Sequence, residues 1–171
     1  MTPLRIMGID PGSLFCGYGI VEQDGMRNIS HVVSGVITLP KREPLYMRLR
    51  RLYEDVRSIL RLYEPRQAVV EKVFFAKGVK AALHLGHARG VVLLAAAEEG
   101  VVLHEYSPNE IKKAVVGYGR AEKAQVQKMV QTILSLDETP PPDGADALAL
   151  AICHINAMSF RSCLVDPRGS S

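Results

Sequence analysis

The chain has 171 residues, is 47% hydrophobic but only 6% aromatic, and carries a formal charge of +3. This is chain enough to bury a core without disulfides, and the balance excludes a disordered or fibrous protein while permitting an anionic partner without demanding one. The apolar run Val91 to Ala97 is far shorter than the roughly 20 residues of a membrane helix, and no export signal precedes Asp10-Pro11-Gly12, so a cytoplasmic protein is expected. Cys16, Cys153 and Cys163 are odd in number and lack C-x-x-C spacing, as free thiols in a reducing compartment would.

Leu4 to Ile9, Gly17 to Glu22 and Ile29 to Leu39 are short apolar runs separated by Pro11-Gly12-Ser13 and Asp24-Gly25, which predicts three consecutive antiparallel strands. From Leu45 to Tyr63 the apolar residues follow a 3.6 period and predict an amphipathic helix ended by Pro65. Its arginines, Arg48, Arg50, Arg51, Arg57 and Arg61, read either as phosphate contacts or as a solvated face, and they are left out of the site. Ala68 to Val73 reads as a strand, Lys80 to Glu99 as a helix and Val101 to Tyr106 as a strand, which implies parallel neighbours joined by a right-handed crossover. Ser107-Pro108-Asn109-Glu110 combines an N-cap, a proline at the first helical position and a capping-box glutamate, starting a helix that reaches about Val116. Further helices are predicted from about Glu122 to Leu134 and, after Pro140-Pro141-Pro142, from Asp143 to about Met158, with 159–171 as a tail. The order βββαβαβααα, without repeat or long linker, predicts a single sheet-centred domain over 1–171.

Four carboxylates stand out. Asp10 ends a strand where the chain turns away, although Asp-Pro-Gly is also a common turn. Glu71 lies near the end of a strand expected to be buried on both faces, where an unpaired carboxylate costs several kcal/mol and a cation is required. Lys72 is a poor candidate, because consecutive strand residues point to opposite faces. Asp143 and Asp146 project from one face of a helix's first turn, as two ligands or as a capping box with Asp143 at the N-cap. If the strands of Asp10 and Glu71 are parallel neighbours, their acids end roughly 5 Å apart. A last helix packed there brings four carboxylates together, which only divalent cations make tolerable, and all-oxygen ligands favour magnesium or manganese.

The collinear set Gly8-Ile9-Asp10-Pro11-Gly12, Gly17-Tyr18-Gly19, Glu71-Lys72-Val73-Phe74, Ala88-Arg89-Gly90, Val115-Val116-Gly117, Ala121-Glu122-Lys123 and Asp143-Gly144-Ala145-Asp146-Ala147-Leu148-Ala149 resembles the RuvC family of bacterial Holliday junction resolvases over about residues 4 to 158. The resemblance implies an RNase H-like α/β fold, with a five-stranded mixed sheet of three antiparallel then two parallel strands flanked by helices. It implies a homodimer acting on four-way DNA junctions beside the branch-migration complex of RuvA and RuvB. It assigns Asp10, Glu71, Asp143 and Asp146 as catalytic metal ligands, Phe74 as a junction-contacting aromatic, and Lys112 and Lys123 as basic residues near the scissile phosphate. Lys72 stands where Gln or Glu is frequent and Gly144 where Ala is, and neither change removes a ligand oxygen. The implied chemistry is hydrolysis with two magnesium ions, or manganese in their place, about 4 Å apart.

Phe74-Phe75-Ala76-Lys77-Gly78-Val79-Lys80 pairs aromatics with lysines as on surfaces that stack unpaired bases, so Lys77 and Lys80 join Phe74, Lys112 and Lys123, which the resemblance assigns, as expected DNA contacts, with Phe75 given to the core. His84 and His87 lack a third metal ligand and are read as surface or interface residues. The apolar, small-residue helix from Ala81 to Ala97 is the expected dimer face. Two alternatives are a non-catalytic junction-binding protein, which predicts missing acids, and an actin or sugar-kinase-type ATP-binding protein, which predicts a second copy of the Asp-turn-Gly unit.

Overall fold

The computed structural model describes residues 2–73 and 78–165, with side chains to residue 162. Phe74, Phe75, Lys77 and the side chain of Cys163 therefore lie outside the described residues, while Cys16 and Cys153 are buried free thiols. The elements follow as β1 (Leu4–Asp10), β2 (Phe15–Gln23), β3 (Ile29–Thr38), α1 (Leu45–Tyr63), β4 (Gln67–Glu71), α2 (Val79–Glu98), β5 (Val102–Tyr106), α3 (Pro108–Val116), α4 (Lys123–Ile133) and α5 (Pro142–Val165). None of the described helices is long and apolar enough to cross a membrane.

One five-stranded sheet runs β3-β2-β1-β4-β5, antiparallel from β3 to β1 and parallel from β1 to β5. The alternation of side chains along each strand divides the core in two. Ile6, Val21 and Val69 pack with α3, α4 and α5 residues such as Ile111, Val130, Leu148 and Ile152. Met7, Ile9, Ile20 and Val70 pack on the other face against Leu52 and Val56 of α1 and Val92 of α2. By the same parity Asp10, an even number of residues from Ile6, and Glu71, two after Val69, fall on the α5 side.

Helix α5 rides directly on the sheet because glycines face it. A Cβ at Gly8 would stand 1.7 Å from the Ala147 carbonyl oxygen, and one at Gly17 would stand 2.1 Å from that of Asp143. Either collision drives the helix outward, so these bare positions bring the N-terminal turn of α5 down to the end of β1. Farther along, buried His154 receives the Tyr106 hydroxyl on Nδ1 at 2.7 Å and donates Nε2–H to the Gln67 side-chain oxygen, pinning α5 beneath β4 and β5.

Three sequence expectations change. Strand β4 stops at Glu71, two residues before the expected Val73, because Lys72 is the last to bond β5, through its N–H to the Tyr106 carbonyl at 2.8 Å. Helix α5 begins at Pro142, so Asp143 lies within the first turn and is not an N-cap; the helix also continues to Val165, past the expected end near Met158. Arg48 is buried rather than solvated: four residues before Leu52, it shares that buried stripe and donates from Nη1 to the Ser13 carbonyl at 3.0 Å, tying α1 to the turn after Asp10. The capping box of α3 is present as expected, with Glu110 N–H donating to Ser107 Oγ at 3.2 Å and Ser107 N–H to Glu110 Oε2 at 2.7 Å.

Candidate metal centre

Asp10 is the last residue of β1 and Glu71 the last of β4, on neighbouring parallel strands whose registered pairs end at Ile9 with Val70. Asp143 and Asp146 come from the first turns of α5, seated over that edge by the glycines beneath it. One carboxylate oxygen from each of Asp10, Asp143 and Asp146 lies within 4.8 Å of the others. Glu71 stands outside this trio but lines the same cavity of about 270 Å³, together with Asp10, Asp146, Lys112, Lys123 and an apolar wall that includes Ile111, Val126 and Leu150.

Crowding acids into a half-buried cleft opposes their ionisation. The Asp10 carboxyl is pushed up to about 7, first by burial and then by Asp146, Asp143 and Glu71, with Lys123 partly offsetting them. Glu71 is likewise raised by burial and by Asp146, against Lys112, Lys123 and Arg89. Lys123, the first residue of α4, puts Nζ 2.9 Å from Asp146 Oδ2, and that bond holds its ammonium above the ordinary lysine range. Among the described residues Lys123 and Lys112 line the cavity and offset the four acids only in part, which leaves carboxylate in excess there. An all-carboxylate donor set opening on a solvated cavity fits a hard divalent cation, which prefers oxygen ligands and would relieve the repulsion.

The remaining expected site residues are distributed unevenly. Lys112 of α3 lines the metal-centre cavity. Lys80 does not; it borders a separate groove at the start of α2, beside Gly12, Ser13 and His84. Phe74 and Lys77 fall outside the described residues. Arg89 is the residue that sequence reasoning passed over: its motif stood out, but nothing in the spacing shows that its guanidinium donates to the Glu71 carbonyl at 2.6 Å.

A sequence model of the family described as crossover junction endodeoxyribonuclease RuvC matches residues 6–154. The chain is 47% identical over 156 residues to the RuvC crossover junction endodeoxyribonuclease of Heliobacterium modesticaldum, covering 91% of this chain and 96% of the relative. The Thermotoga maritima protein of the same description is 48% identical over 155 residues, covering 90% and 92%. In three dimensions the chain is similar to Thermus thermophilus RuvC solved in complex with a Holliday junction substrate, with a TM-score of 0.87 and 35% identity over 93% of this chain and 97% of that one. The sheet order and flanking helices are those of the RNase H-like fold these proteins share. With such identity across nearly its whole length, the chain belongs to the RuvC family of crossover junction endodeoxyribonucleases.

Proposed function

We propose that this protein resolves four-way DNA junctions by paired, symmetric, metal-dependent nicks in recombination and repair. The observation that carries the reading is the convergence of Asp10, Asp143 and Asp146 within 4.8 Å at the edge of an RNase H-like sheet. Family membership supports the substrate, and the cleft's chemistry supports hydrolysis. Binding without cleavage is disfavoured by the presence of all four acids.

Asp10, Glu71, Asp143 and Asp146 are the catalytic carboxylates and would hold magnesium, or manganese in its place, at two ions per site. Bound there, such ions supply an activated water for in-line attack and stabilisation of the leaving 3′ oxygen. Asp10, at the centre of the cluster and the most strongly perturbed acid, gains most from a neighbouring cation. Lys123 draws Asp146 into place and sets a positive charge beside the cavity, where it offsets charge accumulating on the phosphate in the transition state. Lys112 adds a second ammonium from α3, while Phe74, Lys77 and Lys80 follow Glu71 in sequence and contact the junction strands.

Two symmetric cuts call for two sites, and a C2 homodimer provides them. Helix α2 supports this with an outward stripe of Leu83, Gly86, Gly90, Leu94 and Ala97, in which both leucines are more than half exposed. Leu94→Glu is expected to yield a monomer in sedimentation. The branch-migration complex of RuvA and RuvB is the expected partner in the cell, and the cytoplasm the compartment.

The test is cleavage of a synthetic four-way junction beside a linear duplex of the same sequence, with magnesium or manganese, using Asp146→Asn as control. Paired nicks near the crossover that vanish in the variant are expected. Tight junction binding without cleavage under either metal would overturn the enzyme reading.

A further inference from the structure

Arg89 lies on α2 with its side chain only 15% exposed, and its guanidinium is used as a fork. Nη1 donates to the backbone carbonyl of Glu71 at 2.6 Å and Nη2 donates to Glu105 Oε1 at 2.8 Å. These bonds fall where the sheet runs out. The β1–β4 ladder ends at Ile9 with Val70, so Glu71 stands one residue beyond its last registered partner on that side. On the other side β5 closes with Glu71 opposite Tyr106, and Glu105 is the residue just before it. A carboxylate on the final residue of a strand is aimed only as well as that strand end is held.

We propose that Arg89 is a positioning residue for the metal centre, whose guanidinium fork fixes the strand end bearing Glu71 against α2 and β5. It thereby sets where the Glu71 carboxylate stands relative to Asp10 and Asp146. Arg89 does not line the cavity and reaches it only through Glu71. The planar guanidinium serves a carbonyl with one arm and a carboxylate with the other in fixed relative geometry, which the point charge of a lysine cannot do. The same bond joins the catalytic edge to the helix that carries the proposed dimer stripe, so the position of α2 is felt at Glu71. The inference rests on the reading of Glu71 as a metal ligand.

Outer-shell groups that orient a ligand typically contribute about 10- to 100-fold in metal affinity or activity. The test compares the full chain with Arg89→Gln, Arg89→Lys, Glu105→Gln and, as reference, Glu71→Gln. Three readouts are taken: calorimetric titration with Mn²⁺ in the absence of DNA, four-way junction binding in EDTA, and cleavage as a function of Mn²⁺. Both Arg89 variants are expected to weaken Mn²⁺ binding by about 10- to 100-fold and to move the metal dependence of cleavage equally. Glu105→Gln moves both the same way by less, and junction affinity in EDTA and far-ultraviolet circular dichroism stay at the parent level. Parent-like Mn²⁺ affinity in the Arg89 variants overturns the proposal, and so does a parallel loss of junction affinity in EDTA, which would make Arg89 a DNA contact. If the Arg89 variants do not fold, Glu105→Gln decides, and its parent-like Mn²⁺ affinity overturns the proposal. A parent-like Glu71→Gln removes the ligand reading itself, whereas an impaired Glu71→Gln beside parent-like Arg89 variants refutes only the role of Arg89.

Discussion

Replacing Gly17 by alanine tests whether the metal centre depends on α5 lying against bare backbone. The new Cβ would stand 2.1 Å from the Asp143 carbonyl oxygen, and an ordinary C···O contact needs about 3.3 Å, so the first turn of α5 must move outward by roughly 1.2 Å. The obstacle is helix backbone, not a flexible side chain, and it belongs to the residue whose carboxylate joins the trio. Overpacking of this kind costs about 1–3 kcal/mol of stability, and a misplacement of about 1 Å at a reacting centre can cost about 100-fold in rate. Single-turnover junction cleavage at saturating Mn²⁺, with denaturant unfolding alongside, measures both. Gly25→Ala is the control, since a Cβ there meets nothing within 4 Å. Parent-level cleavage and stability in Gly17→Ala would refute the claim that close helix–sheet approach sets the positions of Asp143 and Asp146.

Charge crowding predicts that Asp10→Asn is more stable than the parent in EDTA, because it removes a half-buried carboxylate facing Asp146, Asp143 and Glu71. Thermal denaturation checks this, and on adding Mn²⁺ the parent should gain about 2.7 kcal/mol at a hundredfold excess over Kd while the variant gains much less. Lys123→Gln should lose less than about 1 kcal/mol of stability, since its own side chain is mostly exposed, yet cleave the junction about 10- to 100-fold more slowly, as single-turnover cleavage would show. Burial, then His104 and Arg161, hold His154 down to about 4, while Tyr106 and Gln67 bond its neutral ring. The unfolded chain thus binds a proton that the native state refuses, so this contribution is complete above about pH 6.5 and falls by roughly 3 kcal/mol as pH drops towards 4. Parent minus His154→Gln in denaturant titrations across that window should show the slope, and parallel curves would count against it.

Much of this molecule is legible locally. The 3.6 period of Leu45–Tyr63 and the Ser107-Pro108-Asn109-Glu110 start signal specify α1 and α3 because their determinants lie within a few residues of one another. A turn after its strand marked Asp10 and the cost of a lone carboxylate in a buried strand marked Glu71, and pleat parity puts both on the α5 face. Side-chain pairing across the fold was not legible in this way. Arg48 was grouped with solvated arginines although its ridge faces the core, and Arg89 was noticed as a motif without its fork on Glu71 and Glu105. The end of β4 at Glu71 and the length of α5 depend on where β5 and the underlying strands stop, which no local period encodes. By itself the sequence determined the element order and the family and singled out four acids as candidates; only the tertiary structure decided that Asp10, Asp143 and Asp146 form the tight trio with Glu71 beside it. The reason is physical: periodicity and capping act between near neighbours, whereas that trio is set by a helix pressed onto glycine backbone more than 120 residues away in the chain.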